Sequence, residues 1–202
     1  FGSKVEAIDY SIKHLKEWMK PEKRKTNKPM NFLGGKCQVR HFPKGVVVFD
    51  RDGTLVEDAG QHNDPARLVF REGAIDAIAL VKGLGFGVAI ASNQAGLETE
   101  KFSLEQLMAF NAELRSQLAV AGGIDLIAVC PHHESSQCEC RKPKTGLFEA
   151  IEGSGLGSPI VFVGDTESDQ MAALASKIEY LDVAHSNIFE VVQDWSRSHE
   201  AS

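Results

Sequence analysis

The chain has 202 residues, of which 43% are hydrophobic and 25% are charged. This length is enough for one ordinary domain with a buried core and a short appendage. No apolar run approaches the ~18 residues of a membrane-spanning helix, so we expect no membrane partner. The first residues contain no apolar signal core, and we therefore expect a cytoplasmic protein.

The net charge of −6 conceals an asymmetry along the chain. Residues 1–44 contain 11 of the 22 Lys and Arg residues and 4 of the 28 Asp and Glu residues, a balance of +7, which leaves residues 45–202 at −13. An acidic body argues against a nucleic-acid-binding surface, so we expect no nucleic-acid partner. The basic segment is interpreted as a solvated linker, with contact to an anionic partner as the alternative.

Residues 4–19 have the pattern of an amphipathic helix. Apolar side chains recur there at spacings of three and four, at Val5, Ile8, Ile12, Leu15 and Met19. The charged, Pro-bounded residues 20–31 predict a linker. We therefore divide the chain into an N-terminal helix with a basic linker, residues 1–42, and a main domain, residues 43–202. We expect a monomer, and a dimer through residues 4–19 is the alternative.

From residue 45 onward, strand and helix patterns alternate. Short apolar runs predict strands at 45–49, 86–91, 124–129, 159–163 and 178–183. Periodicity and capping residues predict helices at 73–84, 104–121, 145 or 146 to 151, 167–175 and 188–196, with Ser103 and Asn187 as N-caps and polar loops at 55–70 and 131–144. This alternation predicts an α/β fold, a Rossmann-like doubly wound parallel sheet in three α/β/α layers.

The segment 46–54, V-V-V-F-D-R-D-G-T, is the one around which the domain is organised. Its apolar run predicts a buried strand, and Asp50 and Asp52 follow where that strand ends. Gly53 then allows a sharp turn. Because ligands bind outside the carboxyl ends of strands in open α/β sheets, the two carboxylates are candidates for chemistry. A plain strand followed by an acidic turn is the alternative interpretation.

Polar residues also follow two later strands. Ser92, Asn93 and Gln94 come after the second strand, where a hydroxyl and amides can donate hydrogen bonds to phosphate oxygens. The segment 164–169, G-D-T-E-S-D, follows the fourth strand, and by itself it is typical of a helix N-terminus enriched in acidic residues. The basic segment 141–144, R-K-P-K, precedes a helix, and by itself it is typical of a solvated basic loop.

Cysteine and histidine cluster in one loop as C-x-H, five residues, then C-x-C. Three thiolates and one imidazole form a closed tetrahedral zinc site, which leaves no position for a catalytic water. We therefore predict a structural Zn²⁺ held by Cys130, His132, Cys138 and Cys140. His133 is interpreted as a neighbouring or substrate-facing group, and Cys37 as a buried or unreactive thiol.

Taken in order, these segments resemble the four motifs of the haloacid dehalogenase (HAD) superfamily of phosphatases. The resemblance implies a phosphomonoesterase in which Asp50 attacks phosphorus and becomes an aspartyl-phosphate. Asp52 would act as general acid and then as general base. A carboxylate is a competent nucleophile toward phosphorus when a cation neutralises the incoming phosphate.

The same resemblance implies the roles of the other motif residues. Ser92 and Lys142 would be the remaining catalytic groups, with Lys144 as the alternative to Lys142. Asp50, Asp165 and the backbone carbonyl of Asp52 would hold Mg²⁺, while Asp169 would orient the site. Further contacts to substrate are assigned to Arg51, Asn93, Gln94, Arg141 and Thr166.

Joined together, C-P-H-x5-C-x-C-R-K-P, D-R-D-G-T and S-N-Q-x-G are similar to the zinc-containing HAD phosphatases. These include D-glycero-D-manno-heptose 1,7-bisphosphate 7-phosphatases and histidinol-phosphate phosphatases. The resemblance covers residues 45–183 and implies a small phosphorylated metabolite as partner and little or no cap domain.

Two short segments point to different substrates. Asp58-x-Gly60 favours the heptose enzymes, whereas residues 96–100, G-L-E-T-E, lack the Arg that those enzymes usually carry there. We therefore expect a sugar phosphate such as the heptose bisphosphate, with histidinol phosphate as the alternative. A nucleic-acid 3′-phosphatase and a non-catalytic scaffold are the more distant alternatives.

Overall fold

The computed structural model describes residues 43–57 and 63–200. The strands in these ranges are β1 Val46–Phe49, β2 Gly87–Asn93, β3 Leu126–Cys130, β4 Pro159–Gly164 and β5 Glu179–Asp182. The α-helices are α1 Ala74–Gly83, α2 Leu104–Leu118, α3 Gly146–Gly153, α4 Glu167–Ser176 and α5 Ile188–Glu200. Short 3-10 helices cover Pro65–Arg67, Ala119–Ala121 and Glu134–Ser136.

Several predictions lie outside the described residues. These are the helix over 4–19 with its basic linker, the lone Cys37 and the segment 58–61, so each of them stays a prediction, as does the boundary near residue 43. Within the described ranges, none of the helices combines the length and the apolar character needed to cross a bilayer.

The predicted doubly wound parallel sheet is confirmed. The strand order is β3-β2-β1-β4-β5, and each neighbouring pair is parallel. All four side chains of β1 are buried, because β1 is the central strand and helices cover both faces of the sheet. Val47 and Phe49 belong to a core cluster with residues of α1, α2 and α5. Phe162 of β4 contacts Phe148 of α3, with ring centroids 5.0 Å apart.

Helix α2 begins at the predicted N-cap. The Ser103 hydroxyl accepts a hydrogen bond from the backbone N–H of Gln106 at 3.3 Å, and the Gln106 side chain accepts one from the Ser103 N–H at 2.7 Å. This reciprocal capping box satisfies two N–H groups that have no partner within the helix. The helix then buries Leu107, Phe110, Leu114 and Leu118 on one face.

The prediction of a polar loop at 55–70 is wrong for the residues at its start, which are apolar and buried. Leu55 and Val56 are fully buried, and Val56 forms isolated β-bridges with Asp52 and Phe70. Their burial depends on contacts with the core cluster, which a local polarity pattern does not report.

We expect Ser103→Ala to lower the free energy of unfolding by about 1 kcal/mol, because the N–H groups of the first turn of α2 lose their side-chain acceptor. Thermal denaturation followed by circular dichroism measures this as a lower Tm. Ser116→Ala is the matched control, since Ser116 is exposed within the same helix. Equal Tm values for the two variants would contradict the capping role.

Candidate active site

The carboxyl ends of three adjacent strands bring the predicted motifs to one edge of the sheet. Asp50 follows β1, Ser92 and Asn93 end β2, and Asp165 follows β4. Strand β1 lies between β2 and β4, so residues from distant parts of the chain become neighbours. This edge is where α/β sheets bind ligands.

Asp50, Asp165 and Asp169 form a group of carboxylates whose oxygens lie within 4.8 Å of one another. Hard oxygen donors of this kind suit Mg²⁺, which binds one or two carboxylates and keeps several waters. The backbone at Gly53 leaves room beside them, since a Cβ there would collide with the Asp165 carboxylate. The residues present therefore fit the predicted ion. Asp52 contributes no side-chain atom to this group, and its backbone carbonyl as a ligand stays a prediction.

Asp165 is oriented by a residue that the sequence analysis did not single out. The Thr54 hydroxyl donates to the Asp165 Oδ1 at 2.7 Å. Burial raises the pKa of Asp165, and the hydrogen bond from Thr54 opposes that shift. Thr54 is fully buried, whereas Asp165 is half-buried, so the hydrogen bond fixes the carboxylate from its inner side.

The ammonium group of Lys142 lies between two of the carboxylates. Its Nζ is 2.5 Å from the Asp50 Oδ1 and 2.6 Å from the Asp169 Oδ1, and the residue is 4% exposed. Burial alone would lower the pKa of Lys142, but the charges of Asp50 and Asp169 outweigh it and the pKa is raised. The lysine is therefore held as a cation beside the predicted nucleophile.

Lys144, the alternative to Lys142, lies elsewhere. Its Nζ contacts the Glu139 carboxylate at 2.8 Å and the Gln137 carbonyl oxygen at 3.2 Å. Both partners belong to residues 130–144, which contain the clustered Cys and His residues and are here called the cysteine-rich loop. The geometry thus brings Lys142, and not Lys144, to Asp50.

The Asp50 carboxylate is 6% exposed and has a pKa raised to about 7. Burial is the main cause, the Lys142 cation opposes it, and the Asp169 charge adds to it. A divalent cation beside Asp50 would oppose the shift further, because it favours the ionised carboxylate.

Asp52 is held by two groups from different directions. The Arg51 guanidinium contacts both of its oxygens, with Nη2 at 2.9 Å from Oδ2 and Nε at 3.1 Å from Oδ1. The Gln94 Nε2 donates to Oδ2 at 2.6 Å. Arg51 also donates to the Asn111 Oδ1 at 3.2 Å and lies over the Phe110 ring at 4.6 Å.

The predicted substrate contacts are largely engaged within the protein. The Asn93 side chain brackets Lys142, accepting from its backbone N–H at 3.0 Å and donating to its carbonyl at 3.1 Å. Gln94 also donates to the Ser92 Oγ at 2.8 Å. Because that bond uses Ser92 as acceptor, the Ser92 hydroxyl keeps its own hydrogen for another partner.

Arg141 and Thr166 flank this centre. The Arg141 Nη1 donates to the His132 carbonyl oxygen at 3.2 Å, and the side chain is half-buried. Thr166 caps α4, and its hydroxyl contacts the Asp169 Oδ2 at 2.7 Å. Asp169 therefore uses one oxygen for the helix cap and the other for Lys142, which fits the predicted orienting role.

The four predicted zinc ligands converge in space. The sulfur atoms of Cys130, Cys138 and Cys140 lie 3.3–3.7 Å apart, and the His132 Nδ1 lies 3.3 Å from the Cys140 sulfur and 3.6 Å from that of Cys130. Tetrahedral bonds of about 2.3 Å from zinc to sulfur give similar separations, so the group fits the ion. The three cysteines are free thiols. His133 is outside the group and contacts Ser135 through its Nδ1.

Hydrogen bonding within the cluster shifts the pKa values of Cys130 and Cys140 in opposite directions. The hydrogen bond with Cys130 lowers the pKa of Cys140 to about 5, whereas the same contact and burial raise the pKa of Cys130. Metal binding requires thiolates, so the cluster would release protons when it binds a metal.

Glu98 ties the loop after β2 to the cysteine-rich loop. Its carboxylate accepts from the His133 backbone N–H at 2.5 Å and from the Ser136 hydroxyl at 2.6 Å. From the sequence, residues 96–100 are notable only because they lack an Arg. Nothing in the local pattern indicated that Glu98 contacts a loop 35 residues away.

Comparison with known proteins agrees with this geometry. The sequence model of the polynucleotide kinase 3 phosphatase family matches residues 45–190. A D-glycero-beta-D-manno-heptose-1,7-bisphosphate 7-phosphatase from Pseudomonas putida is 38% identical over 134 residues, which cover 64% of this chain and 77% of that protein. Its counterpart from Pseudomonas aeruginosa is 37% identical over 136 residues, covering 65% and 76%.

A solved structure supports the same relationship. The D,D-heptose 1,7-bisphosphate phosphatase from B. bronchiseptica, complexed with magnesium and phosphate, is 28% identical and has a TM-score of 0.65 over 74% of this chain and 86% of that one. A HAD-like phosphatase from Mesorhizobium loti, 22% identical with a TM-score of 0.64 over 78% and 89%, shares the fold. The chain therefore belongs to the polynucleotide kinase 3 phosphatase family within the HAD superfamily, and it is a phosphoric monoester hydrolase.

Proposed function

We propose that this chain hydrolyses a small phosphorylated sugar with the help of Mg²⁺, through an aspartyl-phosphate formed on Asp50. One observation carries the proposal: the buried Lys142 ammonium contacts Asp50 in the same carboxylate group that contains Asp165. A nucleophile, a cation for the phosphoryl oxygens and a cation-binding carboxylate are then within reach of one phosphate.

Asp50, Asp165 and the backbone carbonyl of Asp52 would hold the Mg²⁺. When bound, the ion supplies positive charge that offsets the phosphate and the carboxylates. The neighbouring magnesium-bound enzyme from B. bronchiseptica supports this choice of ion. The contact between Thr54 and Asp165 supports a fixed orientation for the second carboxylate.

The reaction has two steps on this chain's own side chains. First, an oxygen of Asp50 forms a bond to phosphorus as the bond to the alcohol oxygen breaks, and Asp52 gives that oxygen a proton. Second, Asp52 takes a proton from a water, whose oxygen bonds to phosphorus as the bond from phosphorus to Asp50 breaks. Inorganic phosphate leaves, and Asp50 and Asp52 return to their starting states.

Lys142 and Ser92 stabilise the transferring phosphoryl group. The Lys142 cation neutralises charge on the phosphoryl oxygens, and the Ser92 hydroxyl has a hydrogen available to donate. Arg141, beside Lys142 in the chain, is the proposed second contact to the phosphate. Such preorganised charges account for most of the catalysis in phosphoryl transfer.

D-glycero-beta-D-manno-heptose 1,7-bisphosphate is the substrate that the relatives support best. Both of the Pseudomonas enzymes and the B. bronchiseptica enzyme described above carry the heptose bisphosphate in their names. The Asp58-x-Gly60 similarity agrees with them. Against a polynucleotide 3′-phosphate, which the family name suggests, stands the balance of −13 over residues 45–202.

We expect the purified protein with Mg²⁺ to release phosphate from the heptose bisphosphate with a higher kcat/KM than from histidinol phosphate or a 3′-phosphorylated nicked DNA. Asp50→Asn should lower kcat by at least about 10⁴-fold, because the amide is a far weaker nucleophile. Phosphate release is the measurement. Turnover that persists in Asp50→Asn would contradict the aspartyl-phosphate route, and a preference for the DNA would contradict the substrate class.

The two lysines of the basic segment should differ sharply. We expect Lys142→Met to lower kcat/KM by about 10³-fold or more, because the phosphoryl charge and Asp50 lose their buried cation. The kcat/KM of Lys144→Met should stay within about threefold of the wild-type value, since Lys144 contacts Glu139 and not Asp50. Steady-state kinetics on the same phosphomonoester measure both, and circular dichroism verifies folding. Equal losses in the two variants would refute the assignment of Lys142.

We propose further that Cys130, His132, Cys138 and Cys140 hold a structural Zn²⁺. Cys140 is followed by Arg141 and Lys142, so a metal that fixes the loop also fixes the start of the phosphate-binding segment. With four protein ligands, the ion would stabilise the loop and take no part in the chemistry.

Metal analysis of the native protein should find about one zinc per chain. We expect His132→Ala to weaken zinc binding by at least about 100-fold, because one of four ligands is lost. His133→Ala is the matched control and should retain the metal, since His133 is outside the cluster. Native protein without zinc, or zinc lost from the His133 variant alone, would count against this ligand set.

A further inference from the structure

Two buried amide side chains lie behind the proposed general acid. Asn63 is 5% exposed and Gln94 is 4% exposed, and the Asn63 Nδ2 donates to the Gln94 Oε1 at 3.1 Å. Gln94 in turn contacts Asp52 and Ser92 through its Nε2. The three residues Asn63, Gln94 and Asp52 form a chain of hydrogen bonds, here called the amide chain.

Chemistry fixes the direction of the amide chain. An ionised carboxylate only accepts hydrogen bonds, so the group that Gln94 turns toward Asp52 must be its NH₂. The Gln94 carbonyl oxygen then faces Asn63, which must present its own NH₂ in return. A buried amide oxygen left without a donor is costly, so Asn63 opposes any flip of Gln94.

The second support of Asp52 comes from Arg51. Its guanidinium contacts both carboxylate oxygens and is itself held by Asn111 and by the face of Phe110. The Asp52 Oδ2 accepts from Gln94, from the Arg51 Nη2 and, at 3.2 Å, from the Arg51 Nε. Among the described side chains, Oδ1 accepts only from the Arg51 Nε, which it shares with Oδ2. Oδ1 is thus the oxygen with more capacity left for a proton.

We propose that Gln94, braced by Asn63, is a positioning residue that anchors the Oδ2 of Asp52, so that Oδ1 carries the proton to the departing alcohol. This proposal rests on the phosphatase function proposed above and refines it. It differs from the sequence-based assignment of Gln94 as a substrate contact. Asn63 enters the site through this role, although it never touches the reacting atoms.

If Gln94 positions the general acid, the loss of kcat/KM in a Gln94 variant should depend on how strongly the leaving group needs a proton. A sugar alkoxide is strongly basic and needs a proton as it departs, whereas p-nitrophenolate departs without one. The value of kcat/KM reports only the steps up to the departure of the alcohol, so the later attack of water on Asp50 does not enter. Misplacing Asp52 should therefore lower kcat/KM for the sugar phosphate much more than kcat/KM for p-nitrophenyl phosphate.

The test compares kcat/KM for the two substrates in Gln94→Met and in Asn63→Gly. Methionine keeps an unbranched side chain without a donor, and glycine suits the positive φ of 43° at position 63. In both variants we expect kcat/KM to fall at least about tenfold further for the sugar phosphate than for p-nitrophenyl phosphate, a fraction of the 10²–10⁴ that general acids contribute. If the variants acted by weakening the Ser92 contact instead, kcat/KM would fall equally for both substrates, and the ratio of the two values would not change.

Asn187→Ala is the matched control. Asn187 accepts from the Phe189 N–H at 2.9 Å at the start of α5, so its loss should lower stability without changing the ratio between substrates. The positioning role would be overturned if kcat/KM fell equally for both substrates in the folded variants, or if only KM rose. Either result would support Gln94 as a substrate-binding residue. Should Gln94→Met fail to fold, Asn63→Gly decides. A wild-type protein that hydrolyses neither substrate would overturn the proposed function itself, and an active wild type with unchanged ratios overturns only the positioning.

Discussion

The ammonium group of Lys142, held between the carboxylates of Asp50 and Asp169, is the interaction on which the rest of the site depends. Burying a cation and two anions is costly, and only close contacts with further hydrogen bonds compensate that cost. The backbone of Lys142 is fixed by the Asn93 amide, and the second oxygen of Asp169 is fixed by the cap of α4. The cluster is therefore held at both ends by secondary structure.

The cysteine-rich loop supports the same lysine from the other side. Cys140 lies two residues before Lys142, and Glu98 fastens the loop to the segment after β2 through His133 and Ser136. Strand β2, which carries Ser92 and Asn93, is therefore connected through the segment after it to the loop that carries the cation. An ion bound by the four ligands of this loop would stabilise the approach of Lys142 to Asp50 without touching substrate.

Much of this arrangement could be predicted because its signals are local. Strands β1 to β4 are short and largely apolar runs, Ser103 caps the helix that its sequence predicts, and C-x-H with C-x-C already identifies the four residues that cluster. Where the chain departs from the prediction, the cause is long-range. Leu55 and Val56, in a segment predicted to be a polar loop, are buried by contacts with the core.

The roles of the side chains around Asp52 were invisible for the same reason. Arg51 meets Asn111 across 60 residues, and Asn63 meets Gln94 across 31. A motif names the residues that touch a reacting group, but the residues that hold them in place follow no spacing that one sequence reveals. Only the fold brings Asn111 of α2 and Asn63 to the side chains that they support.

The large sequence separations within the site bear on how the protein is made. Lys142 and Asp50 are 92 residues apart, and Thr54 and Asp165 are 111 apart. A ribosome must therefore extend the chain past α4 before a nascent polypeptide holds every acid and base of the site. Enzymatic turnover should emerge late during synthesis or refolding, which makes it a sensitive readout of completed folding.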